Sequence, residues 1–353
     1  MSFDIPQKQK ALFLSKLRGD WEVVTIDVPK PGPGEVLVRI EATAVNPFDW
    51  KVQAFGMFVE SFPAIVGTDG AGVVIQVGES VRDVVVGDRV IYQGYFDNRL
   101  ATYQQYGIAK ASLIAKVPPN LSLDQAASVP VSIGAAFIGL YGSEWQNGGI
   151  NLPPPWLEGA RGAFAGYPIV VMSGSSSIGQ YVIQLAKLSG FSPIITTCSP
   201  HNFELVKSLG ATHVIDRTLS PTKIITNIES IVTSPIEIVF DCFADEDTQH
   251  TAYELISDST GGSLIVVRSP KVERPKPNKR IVHTFGTVHA EKNREVGVDF
   301  YSHLTEYLAS SDLKPNQVEI VPGGLTAIPD SVERVRRGQA GSGKLVVRPQ
   351  ETS

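Results

Sequence analysis

From Val170 to Gly179 the chain reads Val-Val-Met-Ser-Gly-Ser-Ser-Ser-Ile-Gly. A bare glycine pattern is weak evidence, but an apolar strand before it and a helix after it make an anion site. Gly174 permits the tight turn, and Gly179 lets helix and strand approach closely. Free amides at the helix N-terminus, with the hydroxyls of Ser175, Ser176 and Ser177 beside them, suit a pyrophosphate. Ser176 stands where a second glycine is usual, so it restricts backbone approach slightly while offering a hydrogen bond; Ile178 completes the loop. An ordinary serine-rich turn is the competing reading.

The next strand selects the nucleotide. An NAD site needs a carboxylate roughly 20 residues on, to accept from the ribose hydroxyls. After Ile194-Ile195 this chain has Thr196-Thr197-Cys198-Ser199-Pro200-His201-Asn202, with no Asp or Glu. A carboxylate there would repel the 2′-phosphate of NADP, whereas Ser199, His201 and Asn202 can bind it. Arg217, after the third strand, adds a fixed positive charge. NADPH is therefore the expected cofactor. Ser199 and Asn202 also have the types of helix caps, which would need no ligand. Cys198 has no His–Asp arrangement near it in sequence and reads as a small residue beside the cofactor, not a nucleophile.

Metal chemistry has little material. The chain has two cysteines and six histidines, and its first 197 residues hold neither type. Two distant cysteines, Cys198 and Cys242, make no disulfide framework and no zinc knot. Few free thiols fit a reducing compartment, and a cytoplasmic location is expected. The start, MSFDIPQKQK, lacks the apolar core of a secretory signal. No apolar run in the sequence reaches the ~18–20 residues of a membrane span. A net charge of −5 without basic blocks argues against nucleic acid as a partner.

These residues need two kinds of scaffold. A length of 353 residues suggests two domains, and 42% hydrophobic residues supply their cores. The first ~130 residues read as β-rich. Glu35 to Glu41 alternates with a period of two, and Gly72 to Val77 and Asp88 to Tyr92 are strand-like, which together suggest a curled sheet or partial barrel. Residues 142 to 168, with Pro153-Pro154-Pro155, read as a long surface loop, a kind that is often functional. From Pro168 the rhythm becomes strand, turn, helix. Strands are expected at Ile169 to Met172, Ile194 to Thr197, His213 to Ile215, Ile236 to Asp241 and Ser263 to Val267, and helices at Gln180 to Leu188 and Asn202 to Leu209. That order predicts a doubly wound parallel sheet. The last part, with helices at Phe300 to Leu308 and Ser331 to Arg337 and extended runs at Gln317 to Val321 and Lys344 to Val347, is too short for its own core. It is expected to pack on the first domain.

The motifs resemble those of a zinc-free medium-chain dehydrogenase/reductase, and within it the fungal trans-acting enoyl reductases that partner polyketide synthases. They are Pro31-x-Pro-Gly-Glu-Val-Leu-Val, Ala44-Val-Asn-Pro-Phe-Asp-Trp-Lys51, Phe62-Pro-Ala-Ile-Val-Gly-Thr-Asp-Gly-Ala-Gly72, Gly87-Asp-Arg-Val90, Thr197-Cys-Ser-Pro-His-Asn202 and Gly341-Ser-Gly-Lys-Leu-Val-Val347. Leu152-Pro-Pro-Pro155 resembles an insertion of that branch. The resemblance implies an α/β fold: a GroES-like β-rich catalytic domain (1–130 and 285–353) plus a doubly wound Rossmann domain (131–284). Zinc alcohol dehydrogenases put a Cys ligand in the stretch that is Asn46 to Lys51 here, and Gly-His-Glu where this chain has Gly67-Thr68-Asp69. The resemblance thus implies no metal.

By the same resemblance, Phe48, Asp49, Trp50 and Lys51 face the nicotinamide half of the cofactor, with Lys51 as the candidate catalytic contact; a solvated surface lysine is its competing reading. Gly174 to Gly179 take the pyrophosphate, and Ser199, Pro200, His201 and Asn202 take the 2′-phosphate. Arg217 stands where those relatives usually carry Tyr. Ala340 and Gly341 close over the cofactor. Val131 to Gly139, led by Val131, Ser132 and Ile133, and Thr284, Phe285, Gly286, Thr287 and Val288 line the substrate cleft. The implied reaction is hydride transfer to the β-carbon of an α,β-unsaturated carbonyl or acyl compound, free or tethered to a carrier protein, by a monomer or homodimer. A quinone oxidoreductase of the same fold and a cofactor-binding scaffold without turnover are the alternatives.

Overall fold

The computed structural model describes residues 4–143 and 148–353. Its contacts divide the chain into one unit of 1–131, 298–311 and 315–353, and a second of 132–297 and 312–314.

In the first unit, β1 (Lys8–Leu14) pairs antiparallel with β2 (Trp21–Asp27) and with the short β4 (Ala64–Ile65). The alternating run at Glu35 becomes β3 (Glu35–Ala44), followed by helix α1 (Pro47–Phe55). Strand β3 lies inside a larger sheet with β5 (Asp69–Val77), β6 (Arg89–Gln93), β7 (Tyr106–Lys110) and β8 (Ile114–Lys116). The chain's last strands, β15 (Val318–Ile320) and β16 (Lys344–Val347), join the same sheet, with β16 antiparallel to β3. This is the packing expected of a C-terminal part without its own core. Register shifts leave Ile75 of β5 and Glu41 of β3 as extra residues, one bulge in each strand. Bulges bend a strand and raise its twist, which curls the sheet. Val36, Val38, Val74 and Val90 fill one core beneath it, and Leu12, Val45, Val52, Tyr103 and Leu345 fill another.

The second unit is a six-stranded parallel sheet. Its order is β11 (His213–Asp216), β10 (Ile194–Cys198), β9 (Ile169–Met172), β12 (Ile238–Asp241), β13 (Gly262–Val266) and β14 (Lys279–His283). Helices α4 (Ser177–Ser189), α5 (Phe203–Leu209), α6 (Pro221–Glu229) and α7 (Glu246–Leu255) alternate with the strands. All residues of β9 and β10 are buried, which is why their sequences are continuous apolar or small runs instead of alternating ones. Val170, Ile195, Val239 and Leu264 are fully buried, each contributing roughly 1.5–3 kcal/mol of transfer free energy. Helix α6 escaped the sequence reading because only Ile224 and Ile228 of it are buried, a stripe one residue wide. Strand β14 escaped because it is an edge strand behind a proline-rich charged stretch.

Two expectations need refinement. Of the 142–168 loop, residues 144–147 lie outside the described residues; much of the rest is turns docked on the end of α4. The Phe164 ring stacks on Phe191 with centroids 4.5 Å apart, and the Gly162 and Phe164 amides donate to the carbonyls of Leu188 and Ser189. The stretch Leu123–Tyr141, comprising α2 (Leu123–Ala126) and α3 (Pro130–Tyr141), is long and apolar enough to cross a membrane. It is 78% buried in the fold, as an interior helix is.

Candidate active site

The turn between β9 and α4 is built for a close approach. Ser173 adopts a left-handed φ of 59°, and a Cβ on Gly174 would lie 2.0 Å from Thr196 Oγ1. A Cβ on Gly179 would lie 2.6 Å from both Gly174 Cα and the Ser173 carbonyl oxygen. Ser176 Oγ accepts from the Gly179 amide at 3.1 Å, capping α4, so it is a structural cap as well as a candidate contact. Ser175, Ser176, Ser177 and Ile178 are half-buried. The sheet order reverses between β9 and β12, which puts this helix N-terminus at the switch point where open α/β sheets bind ligands. A turn this closely packed, at the N-terminus of a helix, fits a dinucleotide pyrophosphate.

At the ends of β10 and β11, Arg217 Nε donates to Ser199 Oγ at 2.7 Å, and Asn202 Nδ2 lies 3.2 Å from His201 Nε2. Neither Ser199 nor Asn202 caps its helix through its side chain. Pro200 and His201 are exposed beside them. Cys198 is buried, and burial with the Asp216 charge pushes its thiol up to about 11 against the pull of Arg217. Such a thiol is a poor nucleophile.

The segment after β14 folds back on α3. The Thr284 amide donates to the Val266 carbonyl, and a Cβ on Gly286 would lie 2.6 Å from Ala135 Cα. Asn293 Nδ2, in α8 (Glu291–Ala309), donates to the carbonyls of Phe285 and Thr287 at 2.9 Å each. Ser132 and Ile133, on α3, are buried, as are Thr284, Thr287 and Val288. The two segments singled out as substrate lining therefore meet within this unit.

Helix α1 lies in the first unit. Asp49 is fully buried, and its Oδ2 accepts from the Asn46 amide at 2.7 Å and from the Tyr103 hydroxyl at 2.5 Å. The carboxyl thus serves the helix start and Tyr103, and its side chain points away from solvent. Lys51 Nζ lies 5.8 Å from the Trp50 ring centroid. Phe48 packs with Phe58 and Phe96 at centroid distances of 4.9 and 5.4 Å, and Phe58 stacks on Phe96 at 5.3 Å. Phe58 holds a left-handed φ of 64°, a conformation costly for a bulky side chain. This aromatic wall was missed in the sequence because its rings come from helix α1, the turn after it and the loop after β6, which no local pattern joins. Ala340 packs partly buried near Leu345, and Gly341 is exposed at φ 65°, in the turn between α9 (Ile328–Arg336) and β16.

Around Asp69 a second network appears. Its Oδ2 accepts from Asn46 Nδ2 and Lys344 Nζ, each at 2.8 Å, and its Oδ1 accepts from the Val131 amide at 2.7 Å. Lys344 Nζ also donates to Asn46 Oδ1. Asp69 and Lys344 are 0% and 4% exposed. These donors do not fit zinc. The network offers a side-chain amide and one carboxylate in place of the usual thiolate and imidazole, and both are already bonded to an ammonium. Among the described residues, no group of three or more His, Cys, Asp or Glu side chains is placed to hold a metal ion.

Known proteins agree with this architecture. Residues 32–119 match the alcohol dehydrogenase GroES-like domain and residues 177–303 the zinc-binding dehydrogenase family. The chain is 35% identical over 322 residues to trans-enoyl reductase himH of Aspergillus japonicus, covering 89% of each chain. It is 32% identical to a zinc-type alcohol dehydrogenase-like protein of Schizosaccharomyces pombe, over 93% of this chain and 96% of that one. The fold matches an alcohol dehydrogenase superfamily protein from Novosphingobium aromaticivorans with a TM-score of 0.79 at 22% identity, covering 96% of this chain and 99% of that one. With a GroES-like sheet, a Rossmann-type sheet and these matches along its length, the chain belongs to the medium-chain dehydrogenase/reductase superfamily, whose members are oxidoreductases that bind a nicotinamide cofactor.

Proposed function

We propose that this protein is an NADPH-dependent enoyl reductase that works without zinc on an α,β-unsaturated acyl or carbonyl compound. The observation that carries the reading is the ammonium of Lys344 bonded to Asn46 and Asp69, where a zinc enzyme of the family would place ligands. Oxidising a simple alcohol calls for a Lewis acid on its oxygen, whereas a conjugated double bond is already electrophilic at the β-carbon. The name of the himH relative points to the same reaction.

NADPH, when bound, supplies the hydride. The amides at the start of α4 hold its pyrophosphate, and Arg217 with Ser199 holds its 2′-phosphate. Phe48, Phe58 and Phe96 give the acyl chain an apolar wall. Lys51 orients the reacting groups from the exposed side of α1, since charge develops on the carbonyl oxygen as the β-carbon is reduced.

The test is NADPH consumption, followed by absorbance, on a panel of enals, enones, enoyl thioesters, quinones and primary alcohols. Turnover on enoyl thioesters with NADPH preferred over NADH is expected. Consumption with quinones alone would replace this reading with the quinone oxidoreductase.

A further inference from the structure

We infer that the buried Asp69–Lys344 ion pair is a positioning device, which sets helix α1 and the first turn of α3 for reaction and on which turnover depends beyond what folding requires. The inference rests on the proposed reductase reading, which places Lys51 of α1 at the reacting groups, together with the substrate lining expected from Val131 at the start of α3.

Asp69 begins β5, yet its carboxylate is spent entirely on other elements. Oδ1 accepts from the amide of Val131, one of the free N–H groups at the start of α3. A negative charge at a helix N-terminus is itself favourable. Oδ2 accepts from Asn46 Nδ2 and Lys344 Nζ. Asn46 in turn donates its main-chain amide to Asp49 Oδ2 in α1 and accepts at Oδ1 from Lys344 Nζ. Thr43 Oγ1 donates to the Asp69 carbonyl at 2.8 Å and lies 2.8 Å from Thr102 Oγ1. The carboxylate thereby ties the residue before α1, the start of α3 and the start of β16, and the same residue's carbonyl holds the end of β3.

Stability alone does not call for charge here. A buried ion pair replaced by neutral groups of like volume is often as stable, whereas loss of one partner leaves an uncompensated buried charge and is strongly destabilising. What the charges add is directional geometry, because charge-assisted bonds are short and about twice as strong as neutral ones. A helix carrying reacting groups gains from that, since a misplacement of about 1 Å can cost about a hundredfold in rate.

The experiment compares the intact protein with the neutral pair Asp69→Asn/Lys344→Met and with Lys344→Arg. Thermal midpoint, NADPH affinity by fluorescence titration, and kcat and KM on an enoyl thioester are measured for each. The neutral pair should keep its midpoint within a few degrees and its NADPH affinity within about threefold, while kcat falls by about tenfold or more. Lys344→Arg, which retains the charge but not the compact ammonium, should lose less kcat than the neutral pair. A folded neutral pair with unaltered kcat would overturn the inference. A neutral pair that does not fold would overturn it too, since the ion pair would then be a folding requirement and no more. If the unaltered protein reduces quinones and not enoyl thioesters, the proposed substrate class fails on its own, and the same variants are read on the quinone.

Discussion

Arg217 and Ser199 are 18 residues apart in the chain, and their side chains meet at 2.7 Å at the ends of two neighbouring parallel strands. The guanidinium is thereby held over the turn after β10 before any ligand arrives, which lowers the ordering cost of binding. On the proposed reading, replacing it removes a charge-assisted contact to the 2′-phosphate. Arg217→Ala should weaken NADPH binding by about tenfold or more while changing NADH binding little. Parallel fluorescence titrations with both nucleotides measure this, and equal losses for the two would refute the assignment.

The nucleotide turn gives a second expectation. Thr196 Oγ1 is tied to the Val171 carbonyl at 2.7 Å, so it cannot swing aside for a methyl on Gly174. Gly174→Ala should cost about 1–3 kcal/mol by overpacking and abolish tight cofactor binding. Adding Thr196→Ala should recover part of the stability, as urea unfolding of the single and double variants would show.

Asp49 gives the protein a pH signature. Burial raises its carboxyl to about 7, against the opposing hydrogen bonds from Tyr103 and Asn46. The unfolded chain loses this proton near pH 4, while the folded chain keeps it until about 7. The folded state therefore binds more protons in that window, and its stability declines as pH rises, by up to about 4 kcal/mol from this group. Asp49→Asn keeps an oxygen for both donors and cannot ionise. Thermal midpoints at pH 5 and pH 8 should fall less in the variant than in the unaltered protein; parallel falls would assign the pH dependence elsewhere.

Phe58 separates binding from folding. Its ring is 44% exposed and its backbone is left-handed. In Phe58→Gly, relief of about 1–2 kcal/mol of backbone strain offsets the lost stacking of about 0.5–1.5 kcal/mol. Stability should change by less than about 1 kcal/mol, while KM for a long-chain enoyl substrate rises several-fold and KM for a short one does not. Equal changes for both chain lengths would remove Phe58 from the acyl wall.

What could be read in the sequence follows from range. Strands β9 and β16 were bounded to the residue, because apolar runs between turn residues are local signals. The Gly174 to Gly179 turn was legible for the same reason. The Asp69–Lys344 pair spans 275 residues and the Asp49–Tyr103 bond spans 54, and no local pattern announces either. Asp69 and Lys344 both lay inside motifs already singled out, Gly67-Thr68-Asp69 and Gly341 to Val347. What was missing was the pairing of β16 with β3, which alone brings them to one place. Asp49 shows the converse: its motif was visible, but the inward direction of its carboxyl is set by Tyr103, from a distant loop.

The pairing of β16 with β3 also imposes an order of events on the ribosome. The strands flanking Asp69 are made early, yet the cation that neutralises it arrives 275 residues later. Nearly all of the second unit, residues 132–297, has by then been synthesised and is free to fold. The first unit must wait with an uncompensated carboxylate and an open sheet edge at β3. A chain lacking residues from 344 onward would lack both the cation for Asp69 and the strand that pairs with the end of β3, so the first unit is completed only after the second.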